Sequence, residues 1–184
     1  MTGDPISAVC AANVWRARKT WDMSTQRDLQ WQIRLLSEEE AVRALAAVVE
    51  DRGLLAAAGE LPSRGEELRE AVSTEDLAVY GRPEEPPTSD GELARLVLAY
   101  AADRDEALAG TVGEAVEYAR EPAERFDGVM LGVAVLALTL LQTDVLVKRE
   151  SSGRWSFTIR KRALRDSTLG KVLTALLSQI TGGK

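Results

Sequence analysis

Gly128-Val129-Met130-Leu131-Gly132-Val133-Ala134-Val135-Leu136-Ala137-Leu138-Thr139-Leu140-Leu141 is the stretch whose reading decides the fold. It is apolar on every side, with Thr139 as its one hydroxyl. A helix with no polar face must be buried, either in lipid or in protein. From Val129 to Leu141 a helix rises roughly 20 Å, at about 1.5 Å per residue. The hydrocarbon core of a bilayer is about 30 Å thick and takes around 20 apolar residues. Asp127 precedes the stretch and Asp144 follows it. Neither end joins an Arg/Lys cluster to an aromatic belt, as an anchored span does. The sequence therefore predicts a central core helix wrapped by protein, in preference to a membrane span. Gly128 marks the helix start, and Gly132 lets a neighbouring element come close.

Downstream of this helix the period changes to two. Val145 and Val147 alternate with Leu146 and Lys148, Ser151-Ser152-Gly153-Arg154 reads as a turn, and Trp155, Phe157 and Ile159 alternate with Ser156, Thr158 and Arg160. This pattern predicts a β-hairpin over about 144–161. An isolated hairpin is barely stable, so its apolar face is expected to lie on the core helix. Asp166 or Ser167 then caps a last helix that turns Leu169, Val172, Leu173, Leu176, Leu177 and Ile180 inward.

Upstream the pattern is helical throughout. Asp4-Pro5 opens a first helix, with Ile6, Val9, Cys10 and Val14 on one face. A second is expected from Thr25 to Leu36 through Leu29, Ile33 and Leu36. Ser37-Glu38-Glu39-Glu40 is a capping box, and the helix that it starts buries Val42, Leu45, Val48 and Val49 until Gly53 stops it. Ser63 and Thr74 open two shorter helices. Gly81-Arg82-Pro83-Glu84-Glu85-Pro86-Pro87-Thr88 excludes helix and sheet interior and reads as a linker. Beyond it, Ser89 or Asp90 caps a helix carrying Leu93, Leu96, Val97 and Tyr100. Asp103 starts another, with Val112, Val116 and Ala119, whose middle Gly110 and Gly113 weaken. Pro122 opens the central helix or kinks it away.

The expected fold is mainly α: a multi-helix bundle with one C-terminal β-hairpin packed on a buried central helix. The expected organisation is an acidic helical lobe over 1–82, a linker over 83–88, and a helical lobe with the hairpin over 89–184, unless one compact domain holds all three. No segment reads as a signal peptide, because the start is polar and carries Asp4 and Pro5.

Composition removes whole classes of chemistry. The 184 residues contain no histidine. Ser-His-Asp and Cys-His catalysis, His general bases and His-ligated zinc go with it. Cys10 is the one cysteine, so there is no internal disulfide or thiolate metal site, and a reduced cytoplasmic protein is expected. Arginine outnumbers lysine by 18 to 5, which reads as the coding bias of a GC-rich bacterial genome. The net charge is −6 and unevenly spread. Residues 143–184 hold nine basic groups against three acids, a balance of +6, which leaves −12 over residues 1–142. Such asymmetry marks interaction surfaces.

Carboxylates offer one route to chemistry. Glu66-Glu67-x-x-Glu70 and the later Glu124-x-x-Asp127 resemble the E-E-x-x-E and E-x-x-D helices of the all-α nucleotide pyrophosphohydrolases. The resemblance implies Mg²⁺ held by these acids, and Mg²⁺ needs no histidine. The two halves stand much further apart here than in that family, with the proline-rich linker between them. Glu114, Glu117, Glu121 and Glu124 recur at helical spacing and read as a solvated acidic face. Ser167 and Lys171 lie four apart, without further support for a dyad. There is no phosphate loop and no dinucleotide fingerprint. No catalytic residue, metal or cofactor is assigned.

The basic residues are the stronger candidate. Lys148, Arg149, Arg154, Arg160, Lys161, Arg162 and Arg165 cluster on and after the expected hairpin. A winged-helix reading would place that hairpin on DNA, but the preceding helix has no polar face with which to read base edges. The Trp15-Arg16-Ala17-Arg18-Lys19-Thr20-Trp21 run can grip nucleic acid, or can offset a helix dipole while the rings pack inward. The expected function is a non-catalytic protein-interaction module, an adaptor or small inhibitor, that uses a basic C-terminal surface and an acidic N-terminal surface to meet an acidic protein partner or a further copy of itself. Nucleic-acid binding through the basic hairpin and the Mg²⁺-dependent phosphohydrolase are the alternatives.

Overall fold

The computed structural model describes residues 25–61, 80, 86–104, 106–121, 132–142, 145–149, 151, 155–159 and 167–182. The helices run α1 (25–34), α2 (Glu38–Asp51), α3 (Leu55–Glu60), α4 (Asp90–Arg104), α5 (Glu106–Arg120), α6 (Val133–Leu141) and α7 (Ser167–Gly182). Two strands, β1 (Val145–Arg149) and β2 (Trp155–Ile159), lie between α6 and α7. The helices expected after Asp4, Ser63 and Thr74, the linker from Gly81 to Glu85, and Pro122 with Val129–Leu131 lie outside the described residues.

The ends of α2 show local sequence fixing local structure. The Ser37 hydroxyl accepts from the Glu40 backbone N–H at 3.2 Å, and the Glu40 carboxylate accepts from the Ser37 N–H at 2.7 Å. This is the reciprocal box that the sequence announces. At the other end Gly53 takes φ +65°, in the left-handed region that favours glycine. Its N–H donates to Glu50 O at 2.8 Å, and the Leu54 N–H donates to Val49 O at 2.9 Å. Both are bonds of the Schellman ending, which satisfies carbonyls the helix leaves open.

The box also sets a pH dependence. The Ser37 backbone N–H, followed by its hydroxyl and the charges of Arg120 and Arg43, holds the Glu40 carboxyl below its ordinary range; slight burial opposes this. A carboxyl lowered in the folded state adds stability above its unfolded pKa, and that stability fades as pH falls through the folded pKa. Glu40→Gln is therefore expected to be less stable than wild type near neutrality. The gap should close in acid below the ordinary carboxylate range. Urea titrations across that pH range check it.

α6 is the centre that the apolar stretch predicts. Gly132, expected inside the helix at a close approach, instead precedes it in extended conformation, with φ −60° and ψ 150°; it is exposed, and a Cβ there would meet nothing within 4 Å. Val133, Val135, Leu136, Ala137, Leu138, Thr139 and Leu141 are buried, and Ala134 and Leu140 are half-buried. The Thr139 hydroxyl donates to Val135 O at 2.8 Å, so no buried polar group is orphaned there. The neighbours of α6 are helices: α4 and α2, then α3 and α7. No helix among the described residues is long and apolar enough to cross a membrane.

The structure differs from the expected fold class in where the strands lie. Among the described residues the core is a helical bundle, and the strands are not among the main neighbours of its central helix, adding only the buried Val145 to the apolar cluster. β1 and β2 form a two-stranded antiparallel ladder, with Val145 opposite Ile159 and Arg149 opposite Trp155. The main contacts of that ladder are between its own strands. Of the described strand side chains, Val145 is buried, Ser156 is half-buried, and Lys148 and Thr158 are exposed. Among the described residues the elements packed against α6 are the helices α2, α3, α4 and α7, and these supply the apolar partners that the expectation gave to the sheet.

Helices from both sides of residues 81–88 contribute to one apolar cluster, from Leu29 through Leu93 and Leu136 to Ile180. Thr88 ties the end of that stretch to α7: its N–H donates to Ser178 Oγ at 3.2 Å, and the two hydroxyls lie 2.7 Å apart. At the start of α4 the Ser89 hydroxyl accepts from the Glu92 N–H at 3.2 Å and donates to the Glu38 carboxylate at 2.6 Å. Gly91 sits against Glu38 here. A Cβ on Gly91 would stand 2.5 Å from the Glu38 Cα. α5 continues without a break through Gly110 and Gly113, where a Cβ would meet nothing within 4 Å.

Three arginines stitch helix ends. Arg43 donates to Ala119 O at 2.9 Å and to Glu121 O at 3.2 Å. Arg95 donates to Leu36 O at 2.9 Å, and Arg120 to Gln32 O at 3.2 Å. Cations at the open carbonyls of helix C-termini also oppose the helix dipole.

Candidate interaction surface

α1 divides its residues cleanly. Leu29 and Ile33, with Leu36 beyond its end, are buried in the cluster. The opposite side presents Arg27, Asp28, Trp31, Arg34 and Leu35 to solvent. Trp31 and Leu35 are each 61% exposed, the most exposed of the large apolar residues among the described residues. Isolated apolar surface residues are ordinary, but an exposed tryptophan flanked by arginines has the composition of an interface anchor.

Beside Trp31 lies an open groove of about 400 Å³, lined by Gln26, Arg27, Gln30, Trp31, Arg34 and Asp103. Asp103 of α4 accepts from Gln26 Nε2 at 2.8 Å and from Gln30 Nε2 at 3.0 Å. Gln30 Nε2 also donates to Ala99 O at 3.0 Å. These bonds lock α1 to α4 and leave a carboxylate in the groove wall. With Arg27 and Arg34 beside Trp31, the groove offers a protein surface two cationic groups and an apolar anchor, and Asp103 is engaged by Gln26 and Gln30.

The sequence does not single out Trp31. Its signal is positional: Trp31 falls between Leu29 and Ile33, on the helix side shared with Arg27 and Arg34.

Of the predicted basic residues, Lys148 is exposed on β1, and Arg149 stands at the ladder position opposite Trp155. Arg154, Arg160, Lys161, Arg162 and Arg165 lie outside the described residues, as do Glu66, Glu67, Glu70, Glu124 and Asp127. Among the described residues no cluster of three or more His, Cys, Asp or Glu side chains could hold a metal ion. Glu114, Glu117 and Glu121 are exposed along α5 and just past its end, as a solvated face requires. Ser167 and Lys171 are both exposed on α7.

A second cavity, of about 300 Å³, opens where α2, α4 and α6 end. Arg52, Arg104, Tyr100 and Gln142 stand around an apolar floor that includes Leu54 and Leu140. Arg104 donates to the Tyr100 hydroxyl at 3.0 Å, and its guanidinium lies 5.9 Å from the centre of that ring. Three helix C-termini bring partial negative charge to this place, which the two guanidinium groups offset. A structural role accounts for them.

Compared with known proteins, the chain matches no family model, and neither a curated protein nor a solved structure shows significant similarity to it.

Proposed function

We propose that this chain is a non-catalytic, cytoplasmic protein-interaction module, an adaptor or small inhibitor, that holds an acidic protein surface. The observation that carries the proposal is Trp31, 61% exposed on a helix fixed to the bundle, with Arg27 and Arg34 one turn away on either side. Trp and Arg are the residues that most often dominate binding energy at interfaces. The basic residues Lys148, Arg149, Arg154, Arg160, Lys161, Arg162 and Arg165 form the second contact region in this reading, drawn from charge balance.

The test is capture from host lysate by immobilised wild type, Trp31→Glu, and the triple variant Arg154→Glu, Arg160→Glu, Arg162→Glu, read by mass spectrometry. A specific protein retained by wild type is expected to drop at least ten-fold on both variants while their thermal melts stay unchanged. Nuclease treatment should leave it bound. Retention that both variants keep would overturn the proposal, and loss on nuclease treatment would move it to nucleic-acid binding.

A further inference from the structure

Two exposed helix faces of this chain match in spacing and oppose in charge. On α1, Arg27, Trp31 and Arg34 stand at i, i+4 and i+7. Along α5 and the residue after it, Glu114, Tyr118 and Glu121 stand at the same i, i+4 and i+7. All six are exposed. Trp31 is 61% and Tyr118 54% accessible, and they are two of the four exposed large apolar side chains among the described residues. Each face thus carries an aromatic ring between two like charges, separated by seven residues, or about 10 Å along a helix. Leu35 extends the apolar part of the first face, and Glu117 extends the negative part of the second.

We propose that the occupant of the α1 face is the α5 face of a second copy of this chain. Trp31 stacks on Tyr118 of the other copy, and Arg27 and Arg34 meet Glu114 and Glu121. Offset or edge-to-face packing of two rings adds to the area that they bury. The four flanking charges steer the approach and fix the register. Because the two faces differ, the contact is heterologous: it closes into a dimer or ring, or it propagates, according to the rotation between copies. The inference rests on the interaction-module reading above and names its partner. Asp28 on α1 and Arg120 on α5 lie on the borders of these faces. Arg120 is engaged with Gln32 O at 3.2 Å.

The experiment is sedimentation equilibrium of the full chain from 1 to 200 µM, at 50 mM and 1 M NaCl. Wild type is expected above monomer mass at low salt, with dissociation rising at least ten-fold at high salt. Two charge-reversed doubles, Arg27→Glu with Arg34→Glu and Glu114→Arg with Glu121→Arg, should each be monomeric, and so should Trp31→Glu. An equimolar mixture of the two doubles should associate again, because one copy then offers a wild-type α1 and the other a wild-type α5. That rescue also shows that both variants fold. A wild type that stays monomeric throughout, or doubles that associate as wild type does, would overturn self-association. Monomeric wild type that still captures a different protein through Trp31 would leave the broader reading standing.

Discussion

Leu136→Ala is expected to lower the unfolding free energy by about 4 kcal/mol, within the range for a buried leucine truncated in a close-packed core. Leu136 is fully buried on α6, the helix that α2, α3, α4 and α7 surround. Part of the loss is transfer of the three removed carbons, at about 0.8 kcal/mol each. The remainder is the cavity, because walls contributed by four helices cannot all move inward. A domain of this size holds about 5–15 kcal/mol in total, so the loss is a large fraction. The melting temperature should fall by about 10 °C, at roughly 2–4 °C per kcal/mol. Urea unfolding followed by circular dichroism measures it. Leu35→Ala, at an exposed position of the same residue type, should change stability by less than about 0.5 kcal/mol. Equal effects at the two sites would contradict the burial of α6.

Gly91→Ala should cost about 3 kcal/mol, at the upper end of ordinary overpacking. A methyl there would lie 2.5 Å from the Glu38 Cα, 2.6 Å from its Cβ and 2.7 Å from its Cγ. The first of these is backbone, which a rotamer change cannot clear. Relief requires α2 and α4 to separate at their starts, and that would break the Ser89–Glu38 hydrogen bond of 2.6 Å as well. The matched control is Gly110→Ala on α5, where nothing lies within 4 Å of the new methyl. At that position the change should stabilise by up to about 1 kcal/mol, through helix propensity and a less flexible unfolded chain. Opposite signs for one chemical change at two glycines, read from the same urea curves, test the close crossing directly.

Much of the helical frame was legible because it is written in local chemistry. Ser37 through Glu40 state a helix start, Gly53 states an end, and period picks out most inward residues of α1, α2, α4, α5 and α7, although Val42 and Leu96 are only half-buried; α6 was legible instead from its lack of any polar face. α3 was not legible. It spans six residues, has no side-chain cap at Leu54, and reads as an Ala-rich run without periodicity. The role of Gly91 could not be read either, since its cause is Glu38, which lies 53 residues earlier. The hairpin pattern in 145–159 signalled strand pairing but not what the strands pack on. The basic residues looked uniform as a composition, yet Arg43, Arg95 and Arg120 are spent on helix carbonyls, whereas Arg27 and Arg34 line the groove beside Trp31. Only tertiary placement separates these two uses of one residue type.

The bonds that fasten α1 have a kinetic consequence. Gln26 and Gln30 grip Asp103, Arg95 holds the Leu36 carbonyl, and Arg120 holds that of Gln32. The backbone beneath Trp31 is thereby preorganised, and an incoming surface need not freeze it. Little ordering entropy is then lost on docking, and encounters through this ring should convert to bound complexes without a slow rearrangement step.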